Sequence, residues 1–255
     1  MRSVRFSSLL LLLTLLAGCV TDIDPIRPKV DVEKAEQAHV DAGFAYLRNR
    51  DKESARRHFQ RALGLNASSG GAYTGLALVY QYDNDAPRAD EYFRRALALQ
   101  PENSRARFNY SSFLYQEQRY QDAEKHLLIL ADDVNYNRRY LALMNLGRTQ
   151  LQLGDEDGAV KHLRQALGLN PRLALANIEL ARIFFERKEY PTSKFYLDQY
   201  NVSKRGRPSA SSLWLKIRLE RIFGNKDQEA SAALALKNMY PYSDEYLQYK
   251  KTVSE

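Results

Sequence analysis

Small and apolar residues recur at fixed distances along most of the chain. Gly43-x-x-Tyr46 is followed by Ala55-x-x-x-Phe59-x-x-Ala62, and then Ala77-x-x-Tyr80 by Ala89-x-x-x-Phe93-x-x-Ala96. Every landmark has moved by 34 residues. Spacings of three and four within each block place these residues on one helix face. Gly154-Asp155 and Gly224-Asn225 stand where a first helix must stop and turn, and Pro101 and Pro171 end a second. The pattern predicts paired helices in units beginning near Glu36, Gly70, Ser104, Tyr140, Ala174 and Ser211. Ser243-Asp244-Glu245, an N-cap serine followed by acids, predicts a last helix that caps the array. With only 12 Gly and 8 Pro in 255 residues, the composition fits a chain that is mostly helix.

The unit resembles the tetratricopeptide repeat, which implies an all-α superhelix of about six helix-turn-helix repeats plus a C-terminal capping helix. The repeats run near 36–69, 70–103, 104–139, 140–173, 174–210 and 211–244, inside a domain over 34–255. Position 8, where helices A and B cross, admits only a small side chain, and position 20 is its counterpart on helix B. Large residues at positions 11 and 24 fill the space between units. The sixth unit departs from this by placing Arg218 and Arg221 where the others bury a side chain, while keeping Trp214, Ala230 and Leu234.

The first residues differ from the rest. Arg2 and Arg5 precede an apolar run from Phe6 to Leu16, too short to span a bilayer, which needs about 20 residues. A charged start, an apolar core and small residues make a secretory leader over 1–18. Leu16-Ala17-Gly18-Cys19 resembles the lipobox of bacterial lipoproteins, and Cys19 is the only cysteine in the chain. The resemblance implies an acylated Cys19 held in membrane lipid. Val20, where Asp would signal inner-membrane retention, implies transfer by the lipoprotein sorting machinery to the outer membrane, facing the periplasm. Residues 19–33, with Pro25 and Pro28, read as a tether.

The net charge of +7 falls to +5 without Arg2 and Arg5, and its basic residues are spread along the chain. It suits an acidic partner or an anionic surface, and no nucleic-acid partner is expected. His58, His126 and His162 all fall at position 23 of their units, which stacking would hold about 10 Å or more apart, so no metal is expected. No nucleophile, base and oxyanion site assemble, and neither a catalytic residue nor a cofactor is expected.

What such a stack offers is a concave surface lined by helix A. Its candidate partner-binding residues are Val40, Phe44, Leu47, Leu78, Phe108, Asn109, Tyr115, Met144 and Asn145, and the line continues through Leu215, Leu219 and Ile222. The two asparagine amides can donate and accept, and so pair with the backbone of an extended peptide, although Asn109 could equally satisfy a neighbouring turn. Val40 and Phe44 occupy the places of the Lys and Asn with which other tetratricopeptide clamps hold a free C-terminal carboxylate.

Lipobox, tether and six repeats together resemble the PilF/PilW family of pilotins, lipoproteins of type IV pilus biogenesis. Asn109-Tyr110, Leu114-Tyr115-Gln116-Glu117-Gln118-Arg119-Tyr120 and Tyr240-Pro241-Tyr242-Ser243-x-Glu245-Tyr246 are similar to that family's third repeat and cap. The resemblance implies a non-enzymatic outer-membrane lipoprotein that binds secretin subunits of the pilus and promotes their multimerisation. A scaffold for cell-wall or outer-membrane assembly enzymes is the alternative.

Overall fold

Most helices begin at a residue whose side chain accepts a hydrogen bond from the first turn. Asp31 takes Lys34 N–H, Asp51 takes Ser54, Ser69 takes Ala72, Asp85 takes Arg88, Asn103 takes Ala106 and Asp155 takes Gly158. Such a cap contributes about 1 kcal/mol. The computed structural model describes residues 31–204 and 206–253. The predicted leader, Cys19 and most of the tether lie outside the described residues.

Thirteen helices follow among the described residues: α1 (Val32–Arg48), α2 (Lys52–Leu65), α3 (Gly70–Tyr82), α4 (Ala86–Leu99), α5 (Ser104–Gln116), α6 (Tyr120–Asp132), α7 (Arg139–Leu153), α8 (Glu156–Leu169), α9 (Ala174–Glu186), α10 (Tyr190–Ser203), α11 (Ala210–Ile222), α12 (Lys226–Met239) and α13 (Asp244–Lys251). They pair antiparallel as helices A and B of six units, and α13 packs against α11 and α12. This is an all-α tetratricopeptide superhelix.

The turn between helices A and B fixes the register. Its residue at position 15 is left-handed in all six units: Arg50 (φ 63°), Asn84 (57°), Gln118 (59°), Gly154 (81°), Lys188 (62°) and Gly224 (73°). A side chain there costs about 1–2 kcal/mol relative to the right-handed region, which glycine avoids. Lys188→Gly is therefore expected to stabilise the fold by about 1 kcal/mol, and Gly154→Ala to destabilise it by a similar amount. Urea midpoints with unchanged slopes are the measurement. Equal midpoints for wild type and both variants would show that the turn carries no strain.

Gly224 at position 15 and α11 starting at Ala210 also correct the sequence-based boundary. The sixth unit begins at Ala210, one residue earlier than predicted. Arg218 and Arg221 therefore sit at positions 9 and 12, not at buried sites. Leu215 and Leu219, placed on the concave line from sequence, are 1% exposed and belong to the core. On helix B, Leu234 is 58% exposed, while Ala233 and Leu236 turn inward.

Small residues at position 8 allow close helix crossings. The Phe59 ring, wholly buried, lies against Gly43 of its own unit and Gly75 of the next. A Cβ on either glycine would stand 2.5 Å or 2.2 Å from that ring, well inside van der Waals contact. Phe93, Leu127, Leu163 and Leu197 occupy the same position 24 in units two to five and are equally buried. Position 11 departs from expectation in units four and six, where Gln150 and Glu220 are buried polar groups. Gln150 bridges Glu124 and His162, and Glu220 accepts from Lys194 and Asn225, so these joints are hydrogen-bonded where others are apolar.

His58 and His126 follow a unit-internal contact, whereas His162 pairs with Gln150. Position 23 meets position 4: His58 with His39 (Nδ1 to Nδ1 3.0 Å), Tyr92 with Tyr73, and His126 with Arg107. The His39 contact was missed from sequence because only the spacing between units was considered. Burial and the charge of His39 hold His58 below the usual histidine range. Among the described residues no three His, Cys, Asp or Glu side chains gather as a metal-binding group.

Candidate peptide-binding groove

Helix A of one unit touches helix A of the next from unit one to unit five, in addition to its contacts with helices B. The A helices therefore line the inside of the curve, and two depressions open on that side.

The first, about 330 Å³, lies between units one, two and three. Phe44, Leu47, Leu78 and Tyr82 supply its apolar surface, and Asn109 stands at its edge. Arg48, Arg105 and Arg138 complete it, with the Arg105 guanidinium stacked 4.8 Å above the Phe44 ring. The second, about 320 Å³, lies between units three and four. Leu127 forms part of its lining, with Tyr115, Asn145, Arg148 and the hydroxyls of Ser111, Ser112 and Thr149 around it. Ser111 and Ser112 donate to Phe108 C=O and Thr149 to Asn145 C=O, which leaves each hydroxyl oxygen as an acceptor.

Six of the nine sequence-predicted groove residues thus line the depressions: Phe44, Leu47, Leu78 and Asn109 the first, Tyr115 and Asn145 the second. Three do not. Val40 is buried in the core of unit one. Phe108 and Met144 are half-buried against the core of units three to five, Phe108 beneath the Arg138 guanidinium. Neither the Asn109 nor the Asn145 side-chain amide has a hydrogen-bond partner among the described residues, so Asn109 does not serve a neighbouring turn. The arginines of the concave side were missed from sequence. Their signal was the row at position 9, which runs Phe44, Leu78, Ser112, Arg148, Arg182, Arg218 once the sixth unit starts at Ala210.

The comparisons agree with this architecture. Tetratricopeptide-repeat models match residues 74–138 and 140–173. The type IV pilus assembly protein PilF of Pseudomonas aeruginosa is 34% identical over 250 residues, covering 97% of this chain and 98% of PilF. The chain belongs to the PilF family. The solved structure of P. aeruginosa PilF superposes with a TM-score of 0.83 at 33% identity, over 87% of this chain and 99% of that one. PilW, a widely conserved type IV pilus biogenesis factor, shares the fold with a TM-score of 0.73 at 24% identity, over 84% of this chain and 97% of PilW. Membership covers the whole stack, both depressions included, and makes this a tetratricopeptide protein of type IV pilus biogenesis.

Proposed function

We propose that this PilF-family protein is a non-catalytic outer-membrane lipoprotein, anchored through Cys19 and facing the periplasm. It binds secretin subunits of the type IV pilus and promotes their multimerisation after sorting to the outer membrane. The observation that carries the reading is the first depression. Half-buried Phe44 and Leu78 with exposed Tyr82 beside an unpartnered asparagine amide, on the inside of a pilus-assembly fold, suit an extended segment of another protein. Apolar anchors supply the affinity and the amide fixes the backbone register.

Tyr82 and Asn109 provide the test, because neither is core: Tyr82 is 60% exposed and the Asn109 amide is unpartnered. The double substitution Tyr82→Ala, Asn109→Ala is expected to weaken secretin capture by about 1–3 kcal/mol with an unchanged melting temperature. Capture from solubilised outer membranes and recovery of secretin multimers in a deletion strain measure it. A normally folded variant that captures secretin and restores multimers at wild-type levels would remove the depression from the interface.

A further inference from the structure

Several arginines of helices B and the turns pair with carboxylates: Arg56 with Asp83 at 2.5 Å, Arg94 with Asp90 at 2.9 Å, Arg119 with Asp90 at 2.6 Å and Arg187 with Glu156 at 2.5 Å, and Arg56 and Arg187 also lie on the Tyr80 and Phe184 rings. Three arginines of the concave side have only a ring beneath them. Arg105 covers Phe44, Arg138 covers Phe108 and Arg148 covers Tyr115 at 5.0 Å, and none of the three has a carboxylate within 4 Å among the described residues.

Further along, Arg182 reaches Glu179 at 3.4 Å and the Ser211 hydroxyl at 2.9 Å. Arg218 lies between Phe185, at 4.2 Å, and Trp214, paired with Glu186 at 3.7 Å through one guanidinium nitrogen while its buried Nε has no hydrogen-bond partner. A guanidinium stacked on a ring keeps its N–H edge available, and that edge matches a carboxylate in two-point geometry. Position 9 thus changes along the groove from apolar, at Phe44 and Leu78, to cationic, at Arg148, Arg182 and Arg218. The two carboxylates on this stretch, Glu179 and Glu186, leave it with a positive excess.

We infer that the concave face of units four to six binds an extended, acidic segment of a partner protein, its carboxylates meeting Arg148 and Arg218 while the Asn145 amide pairs with its backbone. Neighbouring helices are about 8–10 Å apart, and a polyproline-like chain advances about 3.1 Å per residue with three residues per turn. Carboxylates at every third residue of such a chain therefore fall on one face and keep step with the repeats. The inference rests on the reading above only in taking the concave face as the docking surface. It concerns a different stretch of that face, and charge instead of apolar burial.

The test uses the full chain in a non-ionic detergent and a fluorescein-labelled twelve-residue peptide of repeating Asp-Ile-Pro, followed by polarisation. The expected result is saturable binding, weakened at least about tenfold in the Asn-Ile-Pro peptide and to a similar degree by Arg148→Gln with Arg218→Gln. Arg56→Gln with Arg94→Gln, a convex control of equal charge change, is expected to leave it unaltered. Equal binding of the two peptides, or equal loss from the convex control, would overturn the inference. So would phosphatidylglycerol vesicles that displace the peptide and depend on the same two arginines, because the face would then belong to lipid. Secretin capture measured on the same Arg148→Gln, Arg218→Gln protein separates the two proposals. Retained capture with lost peptide binding supports two independent stretches, whereas retained capture with no Asp-Ile-Pro binding in the wild type overturns this inference alone.

Discussion

Replacing Phe59 with alanine is expected to lower stability by about 3–5 kcal/mol, enough to unfold units one and two at modest urea concentration. The ring is wholly buried, and it is held on two sides by Gly43 and Gly75, which have no side chains to move into the space it leaves. Phe44 meets it edge-on with centroids 5.2 Å apart and would lose that contact as well. Collapse around the void would have to move helix backbones, and so most of the cavity cost persists. Adding methyl groups back in the same variant, as Phe59→Ala with Gly75→Ala, is expected to recover part of the loss, and the double-mutant cycle isolates the coupling. Urea denaturation followed by circular dichroism measures all three proteins. A loss below about 1 kcal/mol for Phe59→Ala would mean that the crossing is slack and that the glycines are there for another reason.

The second large effect concerns location. Cys19→Ala is expected to abolish acylation and leave an uncut precursor, and the same variant behind a cleavable non-lipid leader is expected to lose membrane attachment. Among the described residues no helix is long and apolar enough to cross a membrane. Each buried methylene of an acyl chain contributes about 0.8 kcal/mol, so two or three chains hold a protein where one would exchange. Metabolic labelling with a palmitate analogue, followed by membrane fractionation, reads both consequences. Absence of label on wild-type protein would refute acylation outright, whatever the fate of the variant.

Much of the fold was legible because it is written in side-chain size. Gly43, Ala77, Gly147 and Ala181 at position 8, and Phe59, Phe93, Leu127 and Leu163 at position 24, are set by how closely helices approach, and size shows in sequence. The sixth unit was misplaced by one residue for the opposite reason. Its position 8 is Ile217 and its position 24 is Ala233, so large and small residues exchange places there and the size pattern gives no register. Only the left-handed residue before helix B, Gly224, settles it. In the groove, apolar residues were found from their rows, but Phe108 and Met144 show that a row position does not say whether a side chain lies in the trough or beneath it. The arginines escaped notice because a concave guanidinium and a solvated one look alike in sequence. What separates them is where they lie, and for Arg148 that shows in its stacking on Tyr115 of the preceding unit.

The exchange of large and small residues in the last unit has a consequence for how the stack yields. Its inner layer is built on Leu213, Ile217, Ala232, Ala233 and Leu236, and no residue of α13 is fully buried. Where unit one closes its crossing with a phenylalanine, unit six does so with an alanine and leaves Leu234 outside. In a linear array each unit is stabilised mainly by its neighbour, so the end with less buried surface opens more readily and need not carry the rest with it. The molecule thus has a firm end and a fraying end: thermal or mechanical stress is absorbed at α11 to α13, while the Phe59 crossing and the apolar depression beside it keep their shape.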